Sequence, residues 1–180
     1  MERSLTLVAL FAALVAILGL VPQITLAAGV PITAQSLGIM LCGTVLGARR
    51  GALAVLLFLA LVAAGLPLLS GGRGGLGVFA GPSVGFLLGF PVAAFVAGWI
   101  MQRTTLPVGL AAGAASVIGG IAVLYAFGIP GMALMLDKTL SEAALLGAAY
   151  LPGDILKAVL AGLVTQAIAR MRPGSLLSRA

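Results

Sequence analysis

Hydrophobic residues in this chain occur in long runs rather than in the mixed patterns of water-soluble domains. Polar or Gly/Pro-rich breaks separate six apolar segments: Leu5–Val21, Thr33–Ala48, Gly51–Leu69, Val78–Met101, Leu106–Ile129 and Ser141–Met171. A helix needs roughly 20 apolar residues to cross a bilayer, so the segments predict membrane-spanning helices. The second is short and interrupted by glycine, and we expect it either to tilt little or to span only partly. We expect the first turns of the sixth either to lie flat or to break at Pro152–Gly153, because an internal proline removes a helix donor and clashes with the preceding turn.

Composition supports an α-helical integral membrane protein. The chain is 62% hydrophobic and 8% charged, whereas a soluble domain is about half apolar and a quarter charged. Helices satisfy their backbone hydrogen bonds internally, as lipid requires. A barrel would place polar residues at alternate positions, and 52–69 shows no such alternation. We predict one all-α transmembrane domain over residues 1–180, with about six helices.

Basic residues are distributed unevenly among the breaks, which predicts the orientation. Cytoplasmic loops are enriched in lysine and arginine. With six crossings and both termini cytoplasmic, that side holds seven arginines: Arg3, Arg49, Arg50, Arg103, Arg170, Arg172 and Arg179. The outer side then holds only Arg73 and Lys138, so this orientation is favoured. The net charge of +6 does not indicate nucleic-acid binding, because the charges are dispersed between apolar runs.

Asp154 and Lys157 are ionisable residues inside the last apolar segment. An ionised residue at mid-membrane costs roughly 2.5–3.5 kcal/mol even on a lenient scale, so two of them need compensation. Their i,i+3 spacing places them on one helix face within pairing distance. At 1.5 Å per residue, Asp154 lies about 24 Å from Arg170, near the outer edge of a core about 30 Å thick. We favour a ligand pocket that opens outward over a purely structural ion pair.

Gln35 and Arg73 are two further polar side chains on the predicted outer side. Gln35 begins the second segment and suits either a ligand contact or an interhelical hydrogen bond, and the sequence leaves both open. Arg73 lies in the segment Ser-Gly-Gly-Arg-Gly-Gly, where Gly72, Gly74 and Gly75 permit tight or left-handed turns. We expect this loop to act as a lid rather than as a simple connector.

Two stretches match catalytic sequence motifs but lack the structural context or the partner residue that each motif needs, so we expect no enzyme activity. The stretch 72–77 matches G-x-G-x-x-G, which requires a preceding strand and a βαβ unit to bind a dinucleotide. The stretch 81–85 matches the hydrolase motif G-x-S-x-G, which would make Ser83 a nucleophile. The usual base is histidine, which the chain lacks. Lys157 could substitute only if the fold placed it near Ser83.

Small residues recur at four-residue spacing, which favours close helix contacts in lipid. They are Gly43 and Gly47; Gly81, Gly85 and Gly89; Gly109 and Gly113; and, in the first helix, Ala9 with Ala13 or Ala12 with Ala16. These faces serve either packing within the fold or contact with a partner. A membrane scaffold or assembly subunit without a small ligand is the alternative function. It would explain the small residues but not the pair Asp154 and Lys157.

Four motifs stand in order along nearly the whole chain. They are Pro-Ile-Thr-Ala-Gln-Ser-Leu-Gly at 31–38, Gly-Leu-Pro at 65–67 followed by Ser-Gly-Gly-Arg-Gly-Gly at 70–75, Gly-Pro-Ser-Val-Gly at 81–85, and Pro-Gly-Asp-Ile-Leu-Lys at 152–157. Together they resemble the BioY family, the biotin-binding S components of energy-coupling-factor (ECF) transporters. The last motif is the most specific, because its order and its place in the final helix both match.

The resemblance implies a six-helix S-component fold that binds biotin with high affinity near the outer face of a bacterial cytoplasmic membrane. It also implies an ECF transmembrane coupling subunit and two ABC-type ATPases as partners. The first-helix face, Ala9 with Ala13 or Ala12 with Ala16, would contact the coupling subunit. The chain has no P-loop, so ATP would bind only to partner subunits. No cofactor is expected, since biotin is the transported ligand.

The chemistry of biotin suits the candidate residues. Asp154 would accept hydrogen bonds from the ureido N–H groups, and Gln35 would both donate and accept. Lys157 or Arg73 would bind the carboxylate or the ureido oxygen. Tyr150 and Phe79 are candidates to cover the apolar ring. Which basic residue meets which end of biotin stays open.

Overall fold

Eight α-helices form most of what the computed structural model describes, namely residues 2–22, 24–25 and 31–179. The helices are α1 (Glu2–Leu18), α2 (Gln35–Leu46), α3 (Ala48–Ala63), α4 (Val84–Arg103), α5 (Val108–Val117), α6 (Leu124–Leu136), α7 (Leu140–Ala148) and α8 (Leu151–Met171). A π-helical turn, Ile118–Val123, joins α5 to α6. Short 3₁₀ helices occupy Leu76–Ala80, Pro173–Ser175 and Leu177–Arg179, and β1 (Ile24–Thr25) pairs antiparallel with β2 (Pro31–Ile32). The all-α prediction is confirmed.

Three helical stretches of the described chain are long and apolar enough to cross a membrane. They are α4, the continuous helix Val108–Leu136, and α8. The second segment is short, as predicted, and forms the 12-residue α2. Eleven residues of α2 are buried, because α1, α3, α4 and α8 all pack against it. This helix is therefore the centre of the bundle rather than part of its lipid-facing surface.

Proline positions account for two wrong boundaries. The fifth segment was expected to end at Ile129, but the helix continues through Pro130 to Leu136. The break in the sixth segment was expected at Pro152–Gly153, whereas the chain breaks between α7 and α8, just before Leu151. Pro152 lies in the first turn of α8, where a missing N–H removes no helical hydrogen bond. That proline therefore begins a helix instead of interrupting one.

Small residues hold the helices close to one another inside the fold. A Cβ added at Gly85 in α4 would collide with the Phe127 carbonyl oxygen and stand 3.0 Å from the Gly131 Cα of α6. One added at Gly162 in α8 would stand 2.8 Å from the Gly109 carbonyl oxygen of α5. Gly85 and Gly109 thus serve packing within this chain, one of the two uses that the sequence left open.

The end of the bundle that carries the C-terminal segment is rich in arginine. The Ser178 hydroxyl donates to the Thr44 carbonyl of α2, and Arg179 Nη2 donates to the Leu106 carbonyl at 3.1 Å. These contacts bring the end of α8, the α2–α3 junction at Gly47 and the α4–α5 loop together. The arginines at this end whose side chains are described are Arg49, Arg50, Arg103, Arg170, Arg172 and Arg179.

Candidate functional site

A cavity lies at the opposite end of the bundle, where the first turns of α2 and α8 meet the loop after α3. Its lining consists of Thr33, Gln35, Ser36, Leu69, Arg73, Ser83, Phe86, Leu87, Phe90, Leu124, Tyr150, Asp154 and Lys157. Five of the six residues predicted to contact a ligand line it, namely Gln35, Arg73, Tyr150, Asp154 and Lys157. Folding therefore gathers residues that are more than 100 positions apart in the sequence.

Asp154 and Lys157 form an ion pair at the cavity, with Lys157 Nζ 2.8 Å from Asp154 Oδ1. The predicted pairing across one helical turn is confirmed. Asp154 lies in the first turn of α8, where the positive end of the helix dipole favours a carboxylate. Only 6% of Asp154 is exposed, so its charge depends on the donors around it rather than on water.

Ser36 and Tyr125 complete the coordination of Asp154. Ser36 Oγ donates to Asp154 Oδ1 at 3.3 Å and accepts from Lys157 Nζ at 3.0 Å. The Tyr125 hydroxyl donates to Asp154 Oδ2 at 2.7 Å. Sequence reasoning missed both residues, since they are 118 and 29 positions from Asp154. A usable signal for Tyr125 was that the chain has only two tyrosines, and tyrosine carries a polar group that needs a partner when buried.

The network leaves the ammonium group of Lys157 with capacity for a further acceptor. Lysine has three N–H donors, and two of those of Lys157 are directed to Ser36 and Asp154. Neither contact involves Ser83, although Ser83 also lines the cavity. The arrangement therefore offers a fixed carboxylate, a cation and hydroxyl groups, which suits recognition of a polar ligand rather than nucleophilic attack.

Gln35 lines the cavity while its amide holds two other segments of the backbone. Its Nε2 donates to the Val15 carbonyl of α1 at 3.2 Å and to the Leu68 carbonyl at 3.0 Å. Its Oε1 accepts from the Ser70 N–H at 3.1 Å. Gln35 is only 2% exposed. The interhelical hydrogen bond is thus observed, and contact with a ligand stays a prediction.

The glycine-rich loop adopts the left-handed turns expected of it. Gly71, Gly72 and Gly75 have φ of 78°, 69° and 81°, a region that side chains with a Cβ rarely adopt. A Cβ added at Gly74 would collide with the Leu66 carbonyl oxygen. Arg73 Nε donates to the Ser70 carbonyl at 3.2 Å, so this side chain folds back on its own loop beside the cavity.

Aromatic side chains form one wall of the cavity around Phe86. Its ring meets those of Tyr125 and Tyr150 edge to face, with centroids 6.0 Å and 6.5 Å apart. Tyr150 lines the cavity, and its contact with the ring of a ligand stays a prediction. Phe79 lies in the 3₁₀ helix Leu76–Ala80, packs against the main core and does not line the cavity. Contact of Phe79 with a ligand stays a prediction, and Phe86 is an aromatic residue that sequence reasoning missed.

The two small faces of α1 differ in exposure. Ala9 and Ala13 are exposed on the outside of the bundle. Ala12 is buried in the core at 3% exposure, and Ala16 is partly buried against it. Of the alternatives that the spacing left open, only the face of Ala9 and Ala13 is accessible to another helix.

Comparison with known proteins agrees with this geometry over almost the full length. The BioY family model matches residues 2–174. Biotin transporter BioY of Rhodobacter capsulatus is 53% identical over 189 residues, which cover 99% of this chain and 100% of that protein. Biotin transporter BioY of Rhizobium etli is 51% identical, with 92% of each chain covered.

A solved structure extends the likeness to three dimensions. The crystal structure of the S-component for biotin from an ECF-type ABC transporter matches with a TM-score of 0.89 at 29% identity, covering 94% of this chain and 92% of that one. The predicted S-component fold is confirmed. Sequence and fold agree: the chain belongs to the BioY family.

Proposed function

We propose that this chain binds biotin with high affinity and is the substrate-specific subunit of an ECF-type ABC transporter, as one S-component domain over residues 1–180. The observation that carries the proposal is the cavity built on Asp154 and Lys157. Relatives covering nearly the whole chain are named biotin transporters, and the matching fold is an S-component for biotin. The scaffold alternative explains none of the polar groups in the cavity.

The cavity offers a partner for each part of biotin. Asp154 accepts the ureido N–H groups, and the free N–H of Lys157 binds the ureido oxygen or the carboxylate. Phe86 and Tyr150 cover the apolar bicycle. Arg73, on the loop that contains Gly72, supplies a second cation at the mouth. We propose that this loop closes over the bound ligand, with Gly74 and Gly75 preserving its compact turn.

The test is binding of tritiated biotin to the purified chain in detergent. Asp154→Asn and Lys157→Ala should each weaken binding at least about tenfold, since each removes a charge-assisted hydrogen bond of roughly 1.5–3 kcal/mol. Asp137→Asn and Lys138→Ala make the same chemical changes on residues outside the cavity and should bind like the parent. Undiminished binding by both cavity variants would overturn the site, and no binding by the parent would overturn biotin.

We further propose that Ala9 and Ala13 form the contact with the transmembrane coupling subunit, and that two ABC ATPases complete the complex. Both residues are exposed, and small residues allow helix backbones to approach in lipid. Ala9→Trp or Ala13→Trp should lower co-purification of the coupling subunit and leave biotin binding intact. Ala126→Trp changes an exposed alanine of α6 and serves as the control. An equal loss in all three variants would contradict the assignment.

The proposed location is the bacterial cytoplasmic membrane, with several crossings and the arginine-rich end facing the cytoplasm. Cytoplasmic enrichment of arginine supports this orientation. The single native cysteine, Cys42, is buried, so labelling of a variant with one introduced cysteine can be assigned to that cysteine. In whole cells, an impermeant thiol reagent should label Lys138→Cys and spare Arg172→Cys. The reverse pattern would invert the topology.

A further inference from the structure

A second concave surface lies between α5 and α8, away from the biotin cavity. It encloses about 440 Å³. Gly109, Gly113, Ala114 and Gly162 create the space, and Leu110 and Leu163 flank it at 67% and 62% exposure. Nothing in the biotin cavity shares these residues. The groove faces outward from the bundle and is apolar along most of its length.

The groove starts at the arginine-rich end of the bundle and runs toward the middle of the membrane. On α8 it extends from Gln166 back to Val159, seven residues or about 10 Å at 1.5 Å per residue. That is about one third of a hydrocarbon core roughly 30 Å thick. Pro107, at the start of α5, lies at the same end as Gln166. Its depth and direction are those of the upper part of a lipid acyl chain.

Two arginines stand at the mouth of the groove. Arg170 follows Gln166 by four residues on α8, which places both on one helix face. Arg179 Nη2 donates to the carbonyl of Leu106, next to Pro107, at 3.1 Å. The Nε of Arg179 is buried and has no hydrogen-bond acceptor among the described residues. An added anion cannot reach this buried atom, so it would meet the terminal Nη groups of Arg179, a residue that is only partly buried.

Among the described side chains, no carboxylate pairs with the arginines at the arginine-rich end of the bundle. Asp154 is paired with Lys157 in the other cavity, and Asp137 and Glu142 lie between α6 and α8 on the side of that cavity. Arg103 has its guanidinium 5.0 Å over the ring of Trp99. Among the described side chains, Arg170 and Arg179 therefore have no carboxylate partner, and they adjoin an apolar groove.

We propose that this groove binds an anionic phospholipid, with one acyl chain between α5 and α8 and the phosphate against Arg170 and Arg179. A phospholipid presents both required chemistries at the correct depth, and basic pockets between transmembrane helices suit anionic headgroups. Arginine forms bidentate hydrogen bonds with phosphate. Two residues that line the groove also join its walls, since the Gly109 N–H of α5 donates to Gln166 Oε1 of α8 at 2.9 Å. A lipid bound there therefore supports the contact between α5 and α8.

The test titrates the purified full chain in detergent with phosphatidylglycerol and, separately, with phosphatidylcholine of the same acyl chains, and counts retained lipid by native mass spectrometry. The parent should retain phosphatidylglycerol selectively. Arg170→Gln/Arg179→Gln should weaken its retention about tenfold or more, since each basic residue near anionic lipid is worth a several-fold change. Arg49→Gln/Arg50→Gln removes the same charge at the same end, on α3, and should stay within about twofold of the parent.

A third variant separates the acyl chain from the headgroup. Ala114→Phe fills the groove from an exposed position and should lower phosphatidylglycerol retention while all the arginines remain. Retained binding of tritiated biotin shows that each variant is folded. Equal losses in the two arginine pairs, or no effect of Ala114→Phe, would overturn the proposal. Competition by inorganic phosphate as effective as that by the lipid would also overturn it, in favour of a free-anion site.

A protein occupant would give a different pattern. If Ala114→Phe lowers co-purification of the coupling subunit and leaves lipid retention unchanged, the groove is a subunit contact and the lipid proposal fails.

Discussion

The ion pair between Asp154 and Lys157 allows a quantitative test of what holds the cavity together. Lys157→Met removes the cation and leaves a carboxylate that is 8% exposed in its side chain. Breaking a buried pair by removing one partner costs roughly 3–5 kcal/mol. Ser36 and Tyr125 continue to donate to Asp154, so we expect the lower end, about 3 kcal/mol. Asp154→Asn should cost a similar amount, because it leaves the ammonium group paired only with neutral groups.

The double variant Asp154→Asn/Lys157→Met should be no less stable than either single variant. It removes both charges together, and the amide oxygen that replaces the carboxylate can still accept from Tyr125. The two single effects sum to about 6 kcal/mol, so a double variant near 3 kcal/mol gives a coupling energy of about 3 kcal/mol, the upper end for residues in contact. This excess measures the pairing itself.

The assay is reversible thermal unfolding of the parent, the two single variants and the double variant in one detergent. The quantity compared is the midpoint temperature of the transition. For chains of 150–250 residues, 1 kcal/mol shifts the midpoint by about 2–4 °C, so each single variant should fall by about 6–12 °C. The double variant should fall no further. Additive losses, with the double variant twice as destabilised as each single one, would refute the view that the pair is a buried, mutually dependent unit.

Three other residues give independent tests. Gln35→Ala removes three hydrogen bonds to backbone groups and should lower the free energy of unfolding by about 3 kcal/mol or more. The control Gln102→Ala loses one bond of 3.3 Å and should cost less than about 1 kcal/mol. Similar unfolding midpoints for the two variants would contradict the role of Gln35. Gly85→Ala should destabilise by about 1–3 kcal/mol through its collision with the α6 backbone, whereas Gly81→Ala, whose nearest neighbour is 4.0 Å away, should unfold like the parent. The backbone N–H of Thr139, the N-cap residue of α7, donates to Glu142 Oε2 at 2.9 Å and lowers the pKa of Glu142 from 4.5. The support that Glu142 gives to α7 is therefore present above pH 4.5 and lost as the pH falls through that lowered pKa. Hydrogen exchange should show less protection of α7 in Glu142→Gln at neutral pH and no difference at strongly acid pH; a difference that is constant with pH would count against the capping interaction.

Contacts within one helix were predictable from the sequence, whereas contacts between helices were not. The pairing of Asp154 with Lys157 follows from a spacing of three residues and needs no knowledge of the fold. The hydrogen bonds from Ser36 and Tyr125 depend on how α2 and α6 are placed against α8. Periodicity carries no information on that placement, because the long helices here are apolar over most of their surface.

The two small faces of α1 show the same limit in another form. Ala9 with Ala13 and Ala12 with Ala16 have identical spacing, and both suit close helix contact. Only the packing of α1 against α2 and α3 distinguishes them, since it buries Ala12 and leaves Ala13 outside. Pro152 shows the same limit, because its effect depends on its position in α8: in the first turn it begins the helix, whereas further along it would interrupt it.

Gln35 connects the proposed ligand cavity to the helix that bears the proposed partner face. Its amide nitrogen donates to the Val15 carbonyl of α1, two residues beyond Ala13. Its amide oxygen accepts from the N–H of Ser70 at the start of the glycine-rich loop. A displacement of the loop by ligand and a displacement of α1 by a partner therefore act on the same three hydrogen bonds. If these bonds couple the two sites, Gln35→Ala should weaken the effect of biotin on association with the coupling subunit more than it weakens either binding step alone. Equal effects on biotin binding, on association with the coupling subunit and on the influence of biotin on that association would show that Gln35 acts only by stabilising the fold.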